Sequence, residues 1–184
     1  MEKGSHSSII FLWGMPGIGK STVGRELAEI CEIPFIDLDT FITELRGRAI
    51  SDIFKLEGEE AFRQYEKKAL EKIIPGSHAL IVACGGGTPC RSVTHQLMSQ
   101  SGLSVYLKGT QDLLFERLKA NVETRPLLAS KSEAQIREWI ESGLEERGPW
   151  YEMADIVYEV KKEELSDTCH NLCNRIEQLK GKGV

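Results

Sequence analysis

No apolar run in these 184 residues approaches the length needed to span a bilayer. The opening residues, MEKGSHSS, are polar and lack the charged-then-apolar pattern of a secretory signal, so a cytoplasmic protein with no membrane partner is expected. Excess positive charge is missing too. Against 28 Asp and Glu stand 23 Lys and Arg, a net charge of −5 with no basic stripe, which gives no general drive toward nucleic acid. Cysteine is sparse and odd in number, five at unremarkable spacings, which argues for reduced thiols rather than a disulfide framework. Cys169, His170 and Cys173 superficially suggest metal ligands. The two cysteines share helical spacing with Leu172, Ile176 and Leu179, and read better as the apolar face of a last helix. Repeats, low-complexity tracts and linkers are likewise absent. One domain over residues 1–184 is expected, with residues 1–7 disordered and 41% hydrophobic residues to build its core.

What the chain does have is Gly14-Met15-Pro16-Gly17-Ile18-Gly19-Lys20-Ser21-Thr22, a complete phosphate-binding loop. Before it, Ile9–Trp13 reads as a buried parallel strand; after it, Val23, Leu27, Ile30 and Cys31 recur at helical spacing. In that context the glycines let backbone N–H groups turn inward on phosphate oxygens, and the helix N-terminus adds its positive end. Gly17, Ile18, Gly19, Lys20, Ser21 and Thr22 are thus the candidate nucleotide cradle. Lys20 would reach the β- and γ-phosphates and the Ser21 hydroxyl would ligate Mg²⁺. A glycine-rich turn that binds nothing is the bland alternative, and the strand before the loop weighs against it.

Strand-like runs at Ile9–Trp13, Pro34–Leu38, Ala79–Cys84, Ser104–Leu107 and Ile156–Val160 alternate with helical patterns. That alternation implies an α/β fold with a mostly parallel sheet covered on both faces. Ala61, Phe62, Tyr65, Ala69, Leu70 and Ile73 form one amphipathic stripe. Thr88-Pro89 predicts the start of a helix running towards Ser101. The capping box Ser132-Glu133-Ala134-Gln135 predicts another, ending at Arg147, and Ser166 is the expected cap of the last. Residues 119–131, polar around Arg125-Pro126-Leu127-Leu128, are a candidate mobile lid or an ordinary surface crossover.

Four features bear on the acceptor. Asp37 and Asp39, two apart on the predicted second strand, would share one face near its C-terminal end, where ligands of open α/β sheets gather. One could hold Mg²⁺ and the other orient or deprotonate a hydroxyl; alternatively Asp39 simply caps a helix from Thr40. Arg63 lies on the amphipathic stripe's helix, Gly85-Gly86-Gly87 follows the third strand, and Arg147 precedes Gly148-Pro149-Trp150-Tyr151. Taken singly, each has an ordinary structural reading.

In their order, these elements closely resemble the shikimate kinases. The match consists of the phosphate loop, D-x-D at Asp37 and Asp39, G-E-x-x-F-R at Gly58–Arg63, Gly85–Gly87, R-P-L at Arg125–Leu127 and an R-x-P-x-Y segment from Arg147. The resemblance implies a monomeric three-layer α/β/α P-loop kinase with a five-stranded parallel sheet and a mobile lid. It implies transfer of the ATP γ-phosphoryl to the 3-hydroxyl of shikimate, on the route to chorismate and aromatic amino acids. Asp39 would hold the reacting hydroxyl and act as base, Arg63 and Arg147 would grip the substrate carboxylate, and Gly86 with Gly85 and Gly87 would approach the ring. Ser21 and Asp37 would organise Mg²⁺, Arg125 would stabilise the transferring phosphoryl with Lys20, and Arg117 is the nearest match for an adenine-packing arginine. Two other readings remain: another small-metabolite kinase acting on gluconate or a nucleoside monophosphate, and a catalytically silent nucleotide-binding module.

Overall fold

The computed structural model describes residues 8–120, 131–162 and 164–181. Residues 1–7, expected to be disordered, and most of the expected lid, 121–130 with Arg125, lie outside the described residues. Five strands, β1 (Ser8–Trp13), β2 (Phe35–Asp37), β3 (Ala79–Ala83), β4 (Leu103–Lys108) and β5 (Ile156–Glu159), form one sheet in the order β2-β3-β1-β4-β5. Every pairing is parallel. The helices are α1 (Lys20–Cys31), α2 (Leu38–Arg46), α3 (Ile50–Ile73), α4 (Ser92–Ser101), α5 (Gln111–Ala120), α6 (Glu133–Tyr151) and α7 (Leu165–Gly181). Among the described residues no helix is long and apolar enough to cross a membrane.

The apolar run after Ser8 is explained by its central place. β1 pairs with β3 on one edge and β4 on the other, with Leu12 opposite both Ala83 and Val105. Ile9 to Trp13 are each no more than 1% exposed, although successive side chains point to opposite faces. A strand paired on both edges and covered on both faces has no position to spare for a polar side chain. The chain leaves β1 to build β2 and β3 on one side, then crosses to β4 on the other. That reversal opens a crevice at the C-terminal strand ends, where the phosphate loop lies.

Several local expectations shift. β2 stops at Asp37, so Asp39 is not a strand residue sharing a face with it; Asp39 lies in the first turn of α2. The cause is capping. Asp37 Oδ1 accepts the Thr40 N–H at 3.2 Å, which turns the chain into a helix before strand alternation reaches Asp39. Thr88-Pro89 opens only a 3₁₀ turn, Thr88–Cys90, and α4 begins at Ser92. The Thr88 hydroxyl is used elsewhere, donating to Glu66 at 2.5 Å, and so caps no helix. α6 does not end at Arg147 but runs one turn on through Pro149 to Tyr151, with the Glu152 N–H still bonded to the Gly148 carbonyl at 2.9 Å. In α7, the Thr168 N–H bonds to the Glu164 carbonyl at 3.1 Å, so Ser166 is a first-turn residue rather than the cap. The capping box at Ser132 and Gln135 is present as expected.

Candidate active site

The phosphate loop is shaped by backbone that only glycine takes readily. Gly14 has φ 139°, and a Cβ there would stand 2.7 Å from the Leu107 carbonyl oxygen. Gly19 has φ 100° at the N-cap of α1, and that helix has neither a side-chain cap nor an acidic residue in its first turn. Its leading N–H groups and positive end are therefore left open to an anion from outside the helix. Lys20 Nζ folds back along the loop, donating to the Gly14 carbonyl at 2.8 Å and the Met15 carbonyl at 3.1 Å. Ser21 Oγ donates to Asp37 Oδ2 at 2.5 Å, so hydroxyl and carboxylate stand side by side at the cleft floor. The cleft has a volume of about 690 Å³, and its lining includes Gly17, Gly19, Lys20, Ser21, Thr22, Asp37, Asp39, Gly85, Gly86 and Arg117. Arg117, on α5, donates to the Ile18 carbonyl, so it sits directly against the loop.

Asp39 is the chemically unusual group. Burial, then the carboxylates of Asp37 and Glu66, push its pKa up from 3.8 to about 6, against the pull of Lys20 and Arg63. Its Oδ1 is buried with no hydrogen-bond partner among the described residues. A carboxyl oxygen left unsatisfied at a cleft wall is an acceptor aimed at something the protein does not supply.

Three charged side chains meet at residues 85–87. A Cβ on Gly85 would lie 3.0 Å from Asp39 Oδ1, one on Gly86 would lie 3.5 Å from Arg147 Nη1, and one on Gly87 would overlap the Arg63 guanidinium. The triplet is thus the space in which Asp39, Arg63 and Arg147 converge. It borders the phosphate loop as well, since a Gly86 Cβ would also touch Pro16 at 2.8 Å. Two guanidinium groups and one basic carboxylate around a small opening can hold an anion that carries a hydroxyl.

Two side chains hold this arrangement: Glu66, which the sequence motifs leave out, and Tyr151, which they include in the R-x-P-x-Y segment without giving it a role. Glu66 is 1% exposed, yet it accepts from Arg63 Nη1 at 2.9 Å and from the Thr88 hydroxyl at 2.5 Å. It fixes the arginine while Glu59, more exposed, takes the other side of the guanidinium at 2.8 Å. A signal was present: Glu66 falls four residues from both Phe62 and Leu70, inside the apolar stripe where a charge is out of place. Tyr151 is fully buried and donates from its hydroxyl to the Gly86 carbonyl at 2.5 Å. It pins the triplet from the extra turn of α6. Asp155 is structural, its Oδ2 accepting the Ser104 N–H at 2.8 Å and hydroxyl at 2.6 Å. Cys169 and Leu172 are wholly buried, as a core face requires, and no metal-holding cluster of His, Cys, Asp or Glu occurs among the described residues.

A family model described as shikimate kinase matches residues 16–177. The chain is similar to the shikimate kinase of Azobacteroides pseudotrichonymphae genomovar. CFP2, 42% identical over 167 residues that cover 91% of this chain and 98% of that one. Among solved structures it is similar to shikimate kinase from Bacteroides thetaiotaomicron, with TM-score 0.87, 30% identity and 92% and 98% of the two chains covered. It is similar also to shikimate kinase from Acinetobacter baumannii in complex with shikimate, with TM-score 0.86, 31% identity and 96% of each chain covered.

Proposed function

The chain belongs to the shikimate kinase family, and on that premise we propose that it transfers the γ-phosphoryl of ATP to the 3-hydroxyl of shikimate, yielding shikimate 3-phosphate and ADP. The reaction serves the biosynthesis of chorismate and aromatic amino acids. The observation that carries this reading is the convergence of Asp39, Arg63 and Arg147 on the glycine triplet, one step from the phosphate loop.

Each residue then has a physical task. Arg63 and Arg147 bind the shikimate carboxylate, and two guanidinium groups on one carboxylate also set the ring's orientation. Residues 85–87 bring backbone close to the ring. Asp39 accepts the hydrogen of the 3-hydroxyl; a carboxyl with pKa about 6 is basic enough to help and still largely ionised at neutral pH. Residues 17–22 cradle the phosphates, Lys20 leaves its loop carbonyls for the β- and γ-oxygens, and Arg117 lies where it can cover the nucleotide from α5. Arg125 adds positive charge against the transferring phosphoryl. Ser21 Oγ and Asp37 Oδ2, hard oxygen donors 2.5 Å apart, are the residues that would hold Mg²⁺. A Mg²⁺ ion held there would supply positive charge against the charge that develops in phosphoryl transfer. The enzyme is taken to act as a cytoplasmic monomer.

Coupled measurement of ADP release tests the reading, with shikimate, gluconate and nucleoside monophosphates offered separately. Turnover should be confined to shikimate. Preference for gluconate would refute the acceptor assignment, and ATP binding without turnover on any of them would refute the enzymatic one.

A further inference from the structure

A second feature, at the end of α1 remote from the phosphate loop, has no part in phosphoryl transfer. Helices α1 and α7 pack against each other, and their contact brings Cys31, the last residue of α1, beside Cys173 on α7. Their Sγ atoms are 3.6 Å apart although 142 positions separate them in the chain. Both thiols are half-buried, whereas Cys84 and Cys169 are buried. A cavity of about 420 Å³ opens beside the pair, lined by Ile30, Cys31, Ile33, Cys173, Ile176 and Glu177, wide enough to admit a small oxidant. Beyond Cys31 the chain turns sharply, with Glu32 at φ 52°, so the thiol sits at a helix end rather than within a rigid turn. Closing the gap to a bonded S–S distance of about 2.05 Å asks for a movement of about 1.5 Å.

We propose that Cys31 and Cys173 form a redox modification site at which a hydroperoxide closes a disulfide between α1 and α7. One thiolate attacks the terminal peroxide oxygen: an S–O bond forms, the O–O bond breaks, and the alkoxide, or hydroxide from hydrogen peroxide, leaves and takes up a proton. The second thiolate attacks the sulfenic sulfur: an S–S bond forms, the S–O bond breaks, and hydroxide leaves as water. Two thiols are oxidised by two electrons in all, and one hydroperoxide is reduced. The cross-link ties the end of α1 remote from Lys20; at 1.5 Å per residue the 12-residue helix holds the two ends about 16 Å apart. The bond therefore stabilises the fold without disturbing the phosphate loop.

The test treats the full chain with a small excess of hydrogen peroxide, then alkylates and digests it without reduction. The expected product is a Cys31–Cys173 cross-linked peptide, lighter by the two thiol hydrogens. With it come a Tm raised by about 5 °C or more, unchanged kcat, and reversal by dithiothreitol. Cys31→Ser and Cys173→Ser, with Cys31→Ala and Cys173→Ala in case a serine variant folds poorly, should give neither cross-link nor Tm rise. Over-oxidation of Cys173 with Cys31 still a thiol, a bond to another cysteine, a Tm rise that persists in the Cys31 variants, or lost turnover on closure would each overturn the proposal.

Discussion

Replacing Glu66 by Gln probes the site through a residue that lies behind it rather than at its surface. The substitution keeps the volume of a buried side chain but removes the charge that holds Arg63 Nη1 at 2.9 Å and accepts the Thr88 hydroxyl at 2.5 Å. The ion pair becomes a one-sided charge–amide contact, and since Gln offers a single acceptor oxygen where Glu66 uses two, only one of the two bonds can be kept as it stands; Glu59 is left as the arginine's anionic partner. The expected loss is about 1–3 kcal/mol, below that of stripping a buried ion of every partner. At about 2–4 °C per kcal/mol for a chain of this size, Tm should fall by roughly 2–12 °C. A loosened Arg63 should also raise the shikimate KM by about tenfold, equivalent to about 1.4 kcal/mol. A third effect separates electrostatics from simple loosening. Glu66 is one of the charges that hold the Asp39 pKa up, so its removal lowers that pKa and moves the acid limb of kcat to lower pH. Thermal melts and a kcat–pH profile check all three. An unchanged Tm together with an unmoved acid limb would refute the reasoning.

Asp39→Asn should reduce kcat by about 10²–10⁴-fold, measured by coupled ADP release. The same variant should be more stable than the parent near pH 7, because a carboxyl whose pKa rises from 3.8 to about 6 on folding destabilises the native state progressively across that interval; in urea titrations of the nucleotide-free protein the difference should vanish below about pH 4. Arg63→Ala should raise the shikimate KM by about 10²-fold or more while the Kd for ATP, read by calorimetry, stays the same. Tyr151→Phe leaves the Gly86 carbonyl without its 2.5 Å donor, and should cost about 1 kcal/mol or more in chemical denaturation with a parallel rise in shikimate KM.

The parts of this molecule that were legible in the sequence are those set by neighbours along the chain. The phosphate loop is local: strand, glycines, lysine and helix start follow one another within a few residues, and the structure keeps that order. The buried strand at Ile9–Trp13 follows from its central place, which forces unbroken apolarity. Misreadings arose where a side chain had two uses. Asp37 ends β2 and caps α2 as well, so alternation along Phe35–Asp39 pointed Asp39 to the wrong element while still placing it at the right sheet edge. Thr88 resembled a cap, but its hydroxyl was taken by Glu66, distant in sequence. Glu66 and Tyr151 could not be read as partners of Arg63 and Gly86, because only packing of α3 and α6 around residues 85–87 brings them there.

The account stands on one claim: the acceptor's carboxylate is held by Arg63 and Arg147 while Asp39 faces its hydroxyl. The direct measurement compares kcat/KM for shikimate and its methyl ester in the parent protein and in Arg63→Ala. The parent should lose about 10²-fold or more on the ester, and Arg63→Ala, already lacking half of the grip, should lose far less. Equal losses in the two proteins, or a parent indifferent to esterification, would contradict the claim.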